Sequence, residues 1–378
     1  METANTDLIV SPLFDVKQTT YGGRACFARE DSKEGTNILS VNRCLSSSIS
    51  HEFRKEVCHN CLKYNNGKIM KVKLDRNQLV DDLLPDGKKE QVSRPKTFNG
   101  AGLWFCCDSC RDEYISQDNI IELIETFETL LAHFQSQAKR RNTASRIEEE
   151  HKLNETFMSP KIIGSNWSMI EKDWIPRIDQ LKASKKARML PLIYEEEYQC
   201  CRFVAQTLFN LKYTDPNSVL MKTFEALQSN EQSRIHKFPI LLDSQTKVFQ
   251  TLYVLLPFSL KPLLTISLFR HILGSEYGNA FGIWQDGESN DSREYLGFWI
   301  VPQASYFNHS CSPNVDKKRI GNKLTFTLNS NVVAGQQLCI DYSGILSLDV
   351  HKRQEILSEN WFFQCGCEKC QLELQTIH

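Results

Sequence analysis

The stretch from Ser305 to Asn314, which reads SYFNHSCSPN, restricts the fold more than any other part of this sequence. Its Asn and Ser side chains can hydrogen-bond to nearby backbone, and Pro313 stiffens the exit, so the segment favours a tight, non-repetitive turn. His309 is the one group in it whose ordinary pKa lies near neutral, and Cys311 is a soft metal ligand in the same turn. The alternative is a polar loop with a buried thiol, but the close packing of Asn, His and Cys favours a functional site.

Several of the 14 cysteines fall into clusters with the spacing of zinc sites. Cys58 and Cys61 form a C-x2-C pair, and a second group, Cys106, Cys107 and Cys110, follows after a long polar segment. Zinc prefers four sulfur or imidazole ligands in a tetrahedron. The expected ligands are therefore Cys58, Cys61, Cys110 and either Cys106 or Cys107, between which the spacing does not decide. Reduced structural thiols are the alternative interpretation.

Composition limits the possible classes of protein. The 378 residues are 41% hydrophobic and 24% charged, which is typical of a globular chain of two or three lobes. The net charge of −1 provides no broad basic field, so we expect no direct nucleic-acid binding. The start of the chain lacks a signal-peptide pattern, and no apolar run approaches the ~20 residues that cross a bilayer. We therefore expect a monomer in a reducing compartment, the cytoplasm, the nucleus or both, with no membrane association.

Three motifs in a fixed order resemble one known family. The run NHSCSPN at 308–314 resembles the signature of the SET-domain protein-lysine methyltransferases. Asp341–Tyr342 stands where that family has its catalytic tyrosine, and CGCEKC at 365–370 resembles the post-SET zinc motif. The resemblance implies an α+β fold, an irregular β-rich SET core with knot-like threading, similar to small fungal SET proteins. It is tightest over 277–370.

The segment from Cys58 to Cys110 resembles the MYND zinc finger that interrupts the SET sequence in SMYD-type proteins. The resemblance is partial, because a complete MYND finger binds two zinc ions through seven cysteines and a histidine. Here no cysteine lies between Cys61 and Cys106, and no histidine–cysteine pair follows Cys110, so we expect one zinc ion. We also expect no C-terminal helical-repeat lobe of the kind found in longer SMYD proteins.

The resemblance divides the chain into five parts. An apolar period near 3.6 over 120–134 predicts a helix within 113–137, and helical segments are also predicted over 193–211, 224–242 and 249–269. These agree with the helical insertion that SMYD proteins carry. The polar segment between the two cysteine groups of the finger predicts a long loop or hairpin. The predicted parts are the N-terminal part of SET at 8–50, the partial zinc finger at 51–112, the helical insertion at 113–270, the C-terminal part of SET at 271–345 and the post-SET tail at 346–378.

The resemblance also assigns roles to individual residues. The catalytic residue is Tyr342, and Cys311 with Cys365, Cys367 and Cys370 forms a second zinc site that holds the tail. Phe363 or Trp361 could stack on adenine; Phe363 is favoured because relatives place an aromatic two residues before the first post-SET cysteine. Ala25 replaces the second glycine of the Gly-x-Gly-like opening strand. Residues 278–283 resemble the Asn-x-Phe strand of the SMYD family, whose asparagine, here Asn279, contacts the cofactor. The expected ligands of S-adenosylmethionine are Gly22, Gly23, Arg24, Asn279, Asn308, His309, Tyr342 and Phe363.

The function implied is S-adenosylmethionine-dependent methylation of a lysine on a protein substrate, either a histone or a non-histone protein. Methyl transfer needs a neutral amine, whereas a free lysine has a pKa of about 10.4. An apolar channel and the positive sulfonium both lower that pKa, and Tyr342 can orient the amine for in-line attack. Two alternatives are a catalytically inactive SET fold that acts as a zinc-stabilised protein-interaction module, and a transcriptional adaptor that works through the finger.

Overall fold

The computed structural model describes residues 8–19, 23–81, 98–143, 157–285 and 293–376. The N-terminal part forms short strands in which buried and more exposed positions alternate, as expected of sheet edges with one face on a core. These strands are β1 (Phe14–Gln18), β2 (Arg24–Ala28), β3 (Asn37–Val41) and β4 (Ser46–Ile49).

The segment with the first cysteine cluster follows β4. A 3-10 turn at Glu52–Lys55 leads into it, and a two-stranded ribbon brings the chain back after a long excursion. This ribbon agrees with the hairpin or long loop predicted between the two cysteine groups; residues 82–97 of that loop lie outside the described ranges. The elements are β5 (Val72–Lys73), α1 (Arg76–Asp81), a 3-10 turn (Gly100–Gly102), β6 (Trp104–Phe105) and α2 (Asp108–Ile115).

A layer of helices comes next. α3 buries the apolar residues that recur at the predicted 3.6 period, including Leu123, Phe127 and Leu131. The helices are α3 (Ile120–Ser136), α4 (Ala138–Thr143), α5 (Pro160–Met169), α6 (Ile175–Asp179), α7 (Ala183–Arg188), α8 (Glu195–Tyr213), α9 (Val219–Glu225), α10 (Glu231–Lys237), α11 (Ile240–Leu255) and α12 (Ile266–Asn279), with a π-helical turn at Ile170–Trp174 and a 3-10 turn at Lys261–Leu263.

Three segments predicted as helical are interrupted in the structure. The segment over 113–137 breaks between α2, which ends at Ile115, and α3, which is preceded by the left-handed Asn119 with φ of 60°. The segment over 224–242 is broken by the loop 226–230 and again at residues 238–239, and the segment over 249–269 is broken between α11 and α12. Apolar periodicity predicts helical regions and does not locate such breaks.

The C-terminal part returns to strands and ends in two helices. Its elements are β7 (Ala280–Trp284), β8 (Tyr295–Ile300), a 3-10 turn (Pro302–Ala304), β9 (Asn308–His309), β10 (Val315–Ile320), β11 (Lys323–Leu328), β12 (Gln337–Ile340), α13 (Val350–Trp361) and α14 (Glu368–Thr376). Asp349 caps α13, because its carboxylate accepts a hydrogen bond from the Lys352 N–H at 3.0 Å.

Strands from both ends of the chain share sheets. The largest sheet has the order β1-β2-β12-β9, and two three-stranded sheets have the orders β10-β11-β3 and β4-β8-β7. β12 runs antiparallel to β2 and parallel to β9, with Cys339 opposite Asn308 and Ile340 opposite His309. The predicted α+β architecture is confirmed, and this register brings the strand before Tyr342 beside the Asn308–His309 strand.

The hydrophobic core is continuous from the sheets into the helical layer. α8 packs on β4, where the Ser46 hydroxyl donates to the Phe203 carbonyl at 2.8 Å and the Phe203 ring lies 5.0 Å from that of Phe298. The tail has its own small core around Val350 and Leu357. The five predicted boundaries stay predictions. Among the described residues, no helix is long and apolar enough to cross a membrane.

Candidate functional site

Four thiols of the finger segment lie together. The Sγ atoms of Cys58, Cys61, Cys106 and Cys110 are all within 4.8 Å of one another. The Sγ of Cys106 is 3.8 Å from that of Cys61 and 3.4 Å from that of Cys110. Four sulfurs at a Zn–S distance of 2.3 Å are about 3.8 Å apart in a tetrahedron, so the set fits one zinc ion. Cys107 is exposed and lies outside the group, which favours Cys106 as the fourth ligand.

The second group of four thiols joins the turn to the tail. Cys311 lies with Cys365, Cys367 and Cys370, again with all Sγ atoms within 4.8 Å, and its Sγ is 3.4 Å from that of Cys370. Three of the four are buried, which suits a closed structural zinc site. The tail motif supplies three of these thiols, and the fold brings the fourth, that of Cys311, from the turn.

Arg353 is a residue of this cluster that sequence analysis missed. It is 1% exposed, and its Nη2 atom donates to the Sγ of Cys370 at 3.6 Å and to the Glu373 carboxylate at 2.6 Å. Four thiolates around a zinc ion sum to a charge of about −2, which a buried guanidinium can offset. The signal available in the sequence is a charged residue on the buried side of α13, between Val350 and Leu357.

His309 connects the tail cluster to Tyr342. The Tyr342 backbone N–H donates to Nδ1 of His309 at 3.2 Å, which assigns the ring proton to Nε2, 3.3 Å from the Sγ of Cys311. Burial lowers the pKa of His309 to about 4, and the carboxylate of Asp341, 3.8 Å away, offsets this only in part. The imidazole of His309 is therefore neutral at physiological pH. It connects the Tyr342 backbone to the Cys311 thiol of the tail cluster.

The phenol of Tyr342 is enclosed by aromatic rings from separate parts of the chain. Its hydroxyl donates to the Phe307 carbonyl at 3.0 Å, and burial raises its pKa well above the usual value, so it stays protonated. The ring centroid lies 5.4 Å from His309, 5.7 Å from Trp361 and 6.4 Å from Phe363. The predicted residues Tyr342, His309 and Phe363 are thus brought together, and Trp361 joins them.

The other predicted cofactor residues gather at the loop 226–230. Arg24 donates through Nη1 to the Ala226 carbonyl at 2.7 Å, and Asn279 donates through Nδ2 to the Gln228 carbonyl at 3.1 Å. Gly23 has a φ of 74°, and a Cβ built on it would lie 2.8 Å from Oε1 of Gln228. The left-handed backbone favours glycine here, and a side chain at this position would displace the Gln228 amide.

Gln228 is the second residue that sequence analysis missed, because it lies in a segment predicted as continuous helix. Asn279 ends α12 instead of lying in the predicted strand, since the helix continues to it and its amide donates to the Ser275 carbonyl at 2.8 Å. The Ser305 hydroxyl donates to the Asn279 carbonyl at 3.0 Å, which connects the end of α12 to the turn at 305–314. Gly22 lies outside the described residues.

Asn308 lies between the two groups on β9, opposite Cys339 of β12. It is half-buried, and its side-chain amide has no hydrogen-bond partner among the described residues. The amide is therefore accessible to solvent or to a ligand. It offers two N–H donors and one oxygen acceptor to a polar ligand at this place.

Comparison with known proteins identifies the family of the chain. Residues 23–343 match the SET domain family. The chain is 53% identical over 369 residues to a Saccharomyces cerevisiae protein named "Potential protein lysine methyltransferase SET6", with 98% of both chains covered. It is 32% identical over 126 residues to the Arabidopsis thaliana protein "Histone-lysine N-methyltransferase ASHR2", covering 31% of this chain and 30% of that one. It is 36% identical over 89 residues to the human "Protein-lysine N-methyltransferase SMYD4", covering 23% of this chain and 11% of that one.

The match of most of the chain to the SET domain and the near full-length similarity to the yeast protein agree on the family. SET methyltransferases use S-adenosylmethionine, and the two cysteine clusters are compatible with zinc, one of them in a MYND-like segment. The chain belongs to the SET-domain family of protein-lysine methyltransferases, with relatives of the SMYD type.

Proposed function

We propose that the chain transfers a methyl group from S-adenosylmethionine to a lysine of a protein substrate, and that the transfer takes place at Tyr342. The observation that supports this most directly is the enclosure of Tyr342 by Trp361, Phe363 and His309 next to the unpaired amide of Asn308. Three separate segments of the chain must fold together to make this enclosure.

The cofactor would lie between β9 and the loop 226–230. Asn308 would bind its amino-acid end, the backbone at Gly23 and Gln228 would line one side, and Phe363 would stack on the adenine. Bound S-adenosylmethionine supplies an electrophilic methyl group on a positive sulfonium. Asn279 would contribute indirectly, because its side-chain amide donates to the Gln228 carbonyl and holds that residue in place.

Tyr342 would orient the lysine. Its hydroxyl proton is directed to the Phe307 carbonyl, so its oxygen can accept an N–H from the incoming amine. The rings of Tyr342 and Trp361 exclude water from the amine. This desolvation lowers the pKa of the lysine, so that a larger fraction of the amine is neutral. The amine nitrogen then forms the new N–C bond in line as the S–C bond breaks, with positioning as the main source of rate.

The tail zinc site would hold the aromatic cover in place. Cys311 belongs to the central turn and the other three ligands to the tail, so a bound ion would fasten Trp361 and Phe363 over Tyr342. The finger cysteines form a separate cluster from the one that includes Cys311, and we assign them a structural role. We place this activity in the cytoplasm, the nucleus or both.

Titration calorimetry with S-adenosylmethionine tests the proposal. Wild-type protein should bind it, and Asn308→Ala should weaken binding by about tenfold, because one set of hydrogen bonds to a charged ligand is lost. Asn217→Ala, an exposed asparagine between α8 and α9, is the matched control and should bind like wild type. A folded, zinc-loaded wild-type protein that releases no heat would support the inactive scaffold instead.

The adaptor alternative makes a different prediction. If the finger were the functional site, Cys58→Ser would abolish binding of a protein partner while methyl transfer stayed intact. If the proposal holds, Cys58→Ser should change protein stability more than the catalytic constants of the protein that remains folded.

A further inference from the structure

We propose that Phe362 is a positioning residue for methyl transfer. Its ring, held by Arg234 and Lys237 of the helical insertion, locks the tail so that Trp361 and Phe363 lie against Tyr342 and His309. The proposal rests on the proposed function, because it names the residue that keeps the aromatic cover of that site closed.

The backbone of Phe362 has an unusual conformation. With φ of 62° and ψ of 30° it is left-handed, and it ends α13 at a position where glycine is the usual residue. A bulky side chain is disfavoured there, so surrounding contacts must hold it. The turn separates its two neighbours, Trp361 and Phe363, whose rings lie 5.7 Å and 6.4 Å from the Tyr342 ring.

Those contacts come from one helix of the insertion. The Cζ atom of Arg234 lies 5.3 Å from the centroid of the Phe362 ring, and Nζ of Lys237 lies 5.6 Å from it. Both distances are within the range of cation–π attraction. Lys237 also donates a hydrogen bond through Nζ to the Glu359 carbonyl, one turn before Phe362. Two cations of α10 therefore hold the C-terminal end of α13, through the ring of Phe362 and the backbone carbonyl of Glu359.

The same helix reaches the cofactor side. α10 follows directly on the loop 226–230, in which Gln228 approaches Gly23. Phe362 also lines a cavity of about 700 Å³ with Met158, Ile163 and His236, and it lies outside the small apolar core of the tail. α10 therefore connects the loop that carries Gln228 to the residue between the two rings of the aromatic cover.

A substitution series separates positioning from bulk packing. Phe362→Ala should raise KM for S-adenosylmethionine about tenfold, because two cation–π contacts are lost. Phe362→Tyr should restore it to within about twofold, since the ring stays. Phe362→Gly removes the backbone strain along with the ring, and should be as impaired as Phe362→Ala. Phe238→Ala is the matched control, because Arg234 and Lys237 also contact that ring, at 5.8 and 5.3 Å, but it lies outside the tail.

Hydrogen exchange supplies a readout that does not need turnover. Residues 359–365 should exchange faster in Phe362→Ala and in Lys237→Met than in wild type or Phe238→Ala. A Phe362→Gly variant with wild-type KM, or a Phe362→Ala variant with unchanged KM and unchanged exchange, would overturn the proposal. Wild-type protein that neither binds cofactor nor transfers methyl groups would instead refute the proposed function, and exchange in the tail would still test the grip of α10 on Phe362.

Discussion

At the residue scale, the neutral imidazole of His309 joins the Tyr342 backbone to a thiol of the tail cluster. The sequence placed His309 in a functional turn, but its ordinary pKa suggested a group that titrates near neutral pH. Burial is the main cause of the difference and, with a smaller contribution from the charge of Arg353, lowers the pKa of His309 to about 4 despite the nearby Asp341 carboxylate. His309 is buried because strands β9 and β12 pair, and this pairing cannot be predicted from the local sequence around either strand.

Gly23→Ala tests the approach of Gln228 to the opening strand. The substitution forces a left-handed alanine and a Cβ 2.8 Å from Gln228 Oε1, so it should lower stability by about 1–2 kcal/mol and weaken cofactor binding. Gly335→Ala is the control, because it has a φ of 80° with no atom within 4 Å of the added Cβ. Equal cofactor affinity in the two variants, measured by calorimetry, would contradict a role for this corner in binding.

Arg353→Met tests the charge balance of the tail cluster. Loss of the guanidinium leaves four thiolates less compensated, so zinc should be released to a chelator roughly ten- to a hundredfold more readily. Release followed with a colorimetric chelator should affect one of two equivalents of zinc. Arg188→Met, an exposed arginine of α7, should behave as wild type. Unchanged release from Arg353→Met would show that Arg353 only packs.

At the element scale, helix breaks and strand pairing were the features that the sequence could not predict. The apolar period correctly located helical regions, yet the loop 226–230, which approaches both Gly23 and Asn279, fell inside one of them. The contacts of this loop join residues that are distant in sequence, 202 positions apart for Arg24 and Ala226 and 51 for Asn279 and Gln228. The cysteine motifs were predictable because ligand spacing is local, except for the choice between Cys106 and Cys107, which α2 decides by geometry.

Protonation of His51, which lies between β4 and the finger, should lower the stability of the protein at acid pH. Burial lowers the pKa of His51 to about 4, helped by the charge of Arg54, and its ring packs against Phe134 at 4.9 Å and Tyr198 at 5.6 Å. The unfolded chain, with a pKa near 6.5, binds this proton more readily between about pH 4 and 6.5. The stabilisation from neutral His51 is therefore complete above about pH 6.5 and is lost as the pH falls towards 4.

Urea unfolding at two pH values measures this effect. After allowance for solvent screening, His51 should contribute about 1–2 kcal/mol to the loss of stability between about pH 7.5 and pH 5. His51→Gln should show a correspondingly shallower loss, while other buried histidines and the zinc thiolates contribute equally to both proteins. Parallel pH dependences in wild type and His51→Gln would contradict the burial of this ring.

At the scale of the whole molecule, one core unites the sheets with the helical layer, whereas the tail has its own small core, which includes Cys311, and is also contacted by Arg234 and Lys237 of α10. Sequence motifs predicted the α+β class and both cysteine clusters. The aromatic enclosure of Tyr342 was only partly predictable, because Trp361 and Phe363 reach it through the left-handed turn at Phe362.

Loss of a ligand from each of the two zinc sites should therefore have different effects on protein stability and cofactor affinity. Cys365→Ser should free the tail and reduce cofactor affinity at least tenfold with a modest change in the main unfolding transition, because the tail core is separate. Cys58→Ser should lower the main transition and leave the affinity of the folded fraction near wild type. Calorimetric unfolding and cofactor titration on both variants give the comparison, and a reversed pattern would contradict the assignment of the sites.

The most direct test of methyl transfer at Tyr342 is incorporation of label from S-adenosylmethionine into the proteins of a cell extract. Wild type should label at least one protein on lysine, and Tyr342→Phe should bind cofactor normally while labelling about a hundredfold less, because the amine loses its orienting hydroxyl. Tyr213→Phe, on the exposed end of α8, should label as wild type. Equal lysine labelling by wild type and Tyr342→Phe would contradict the account.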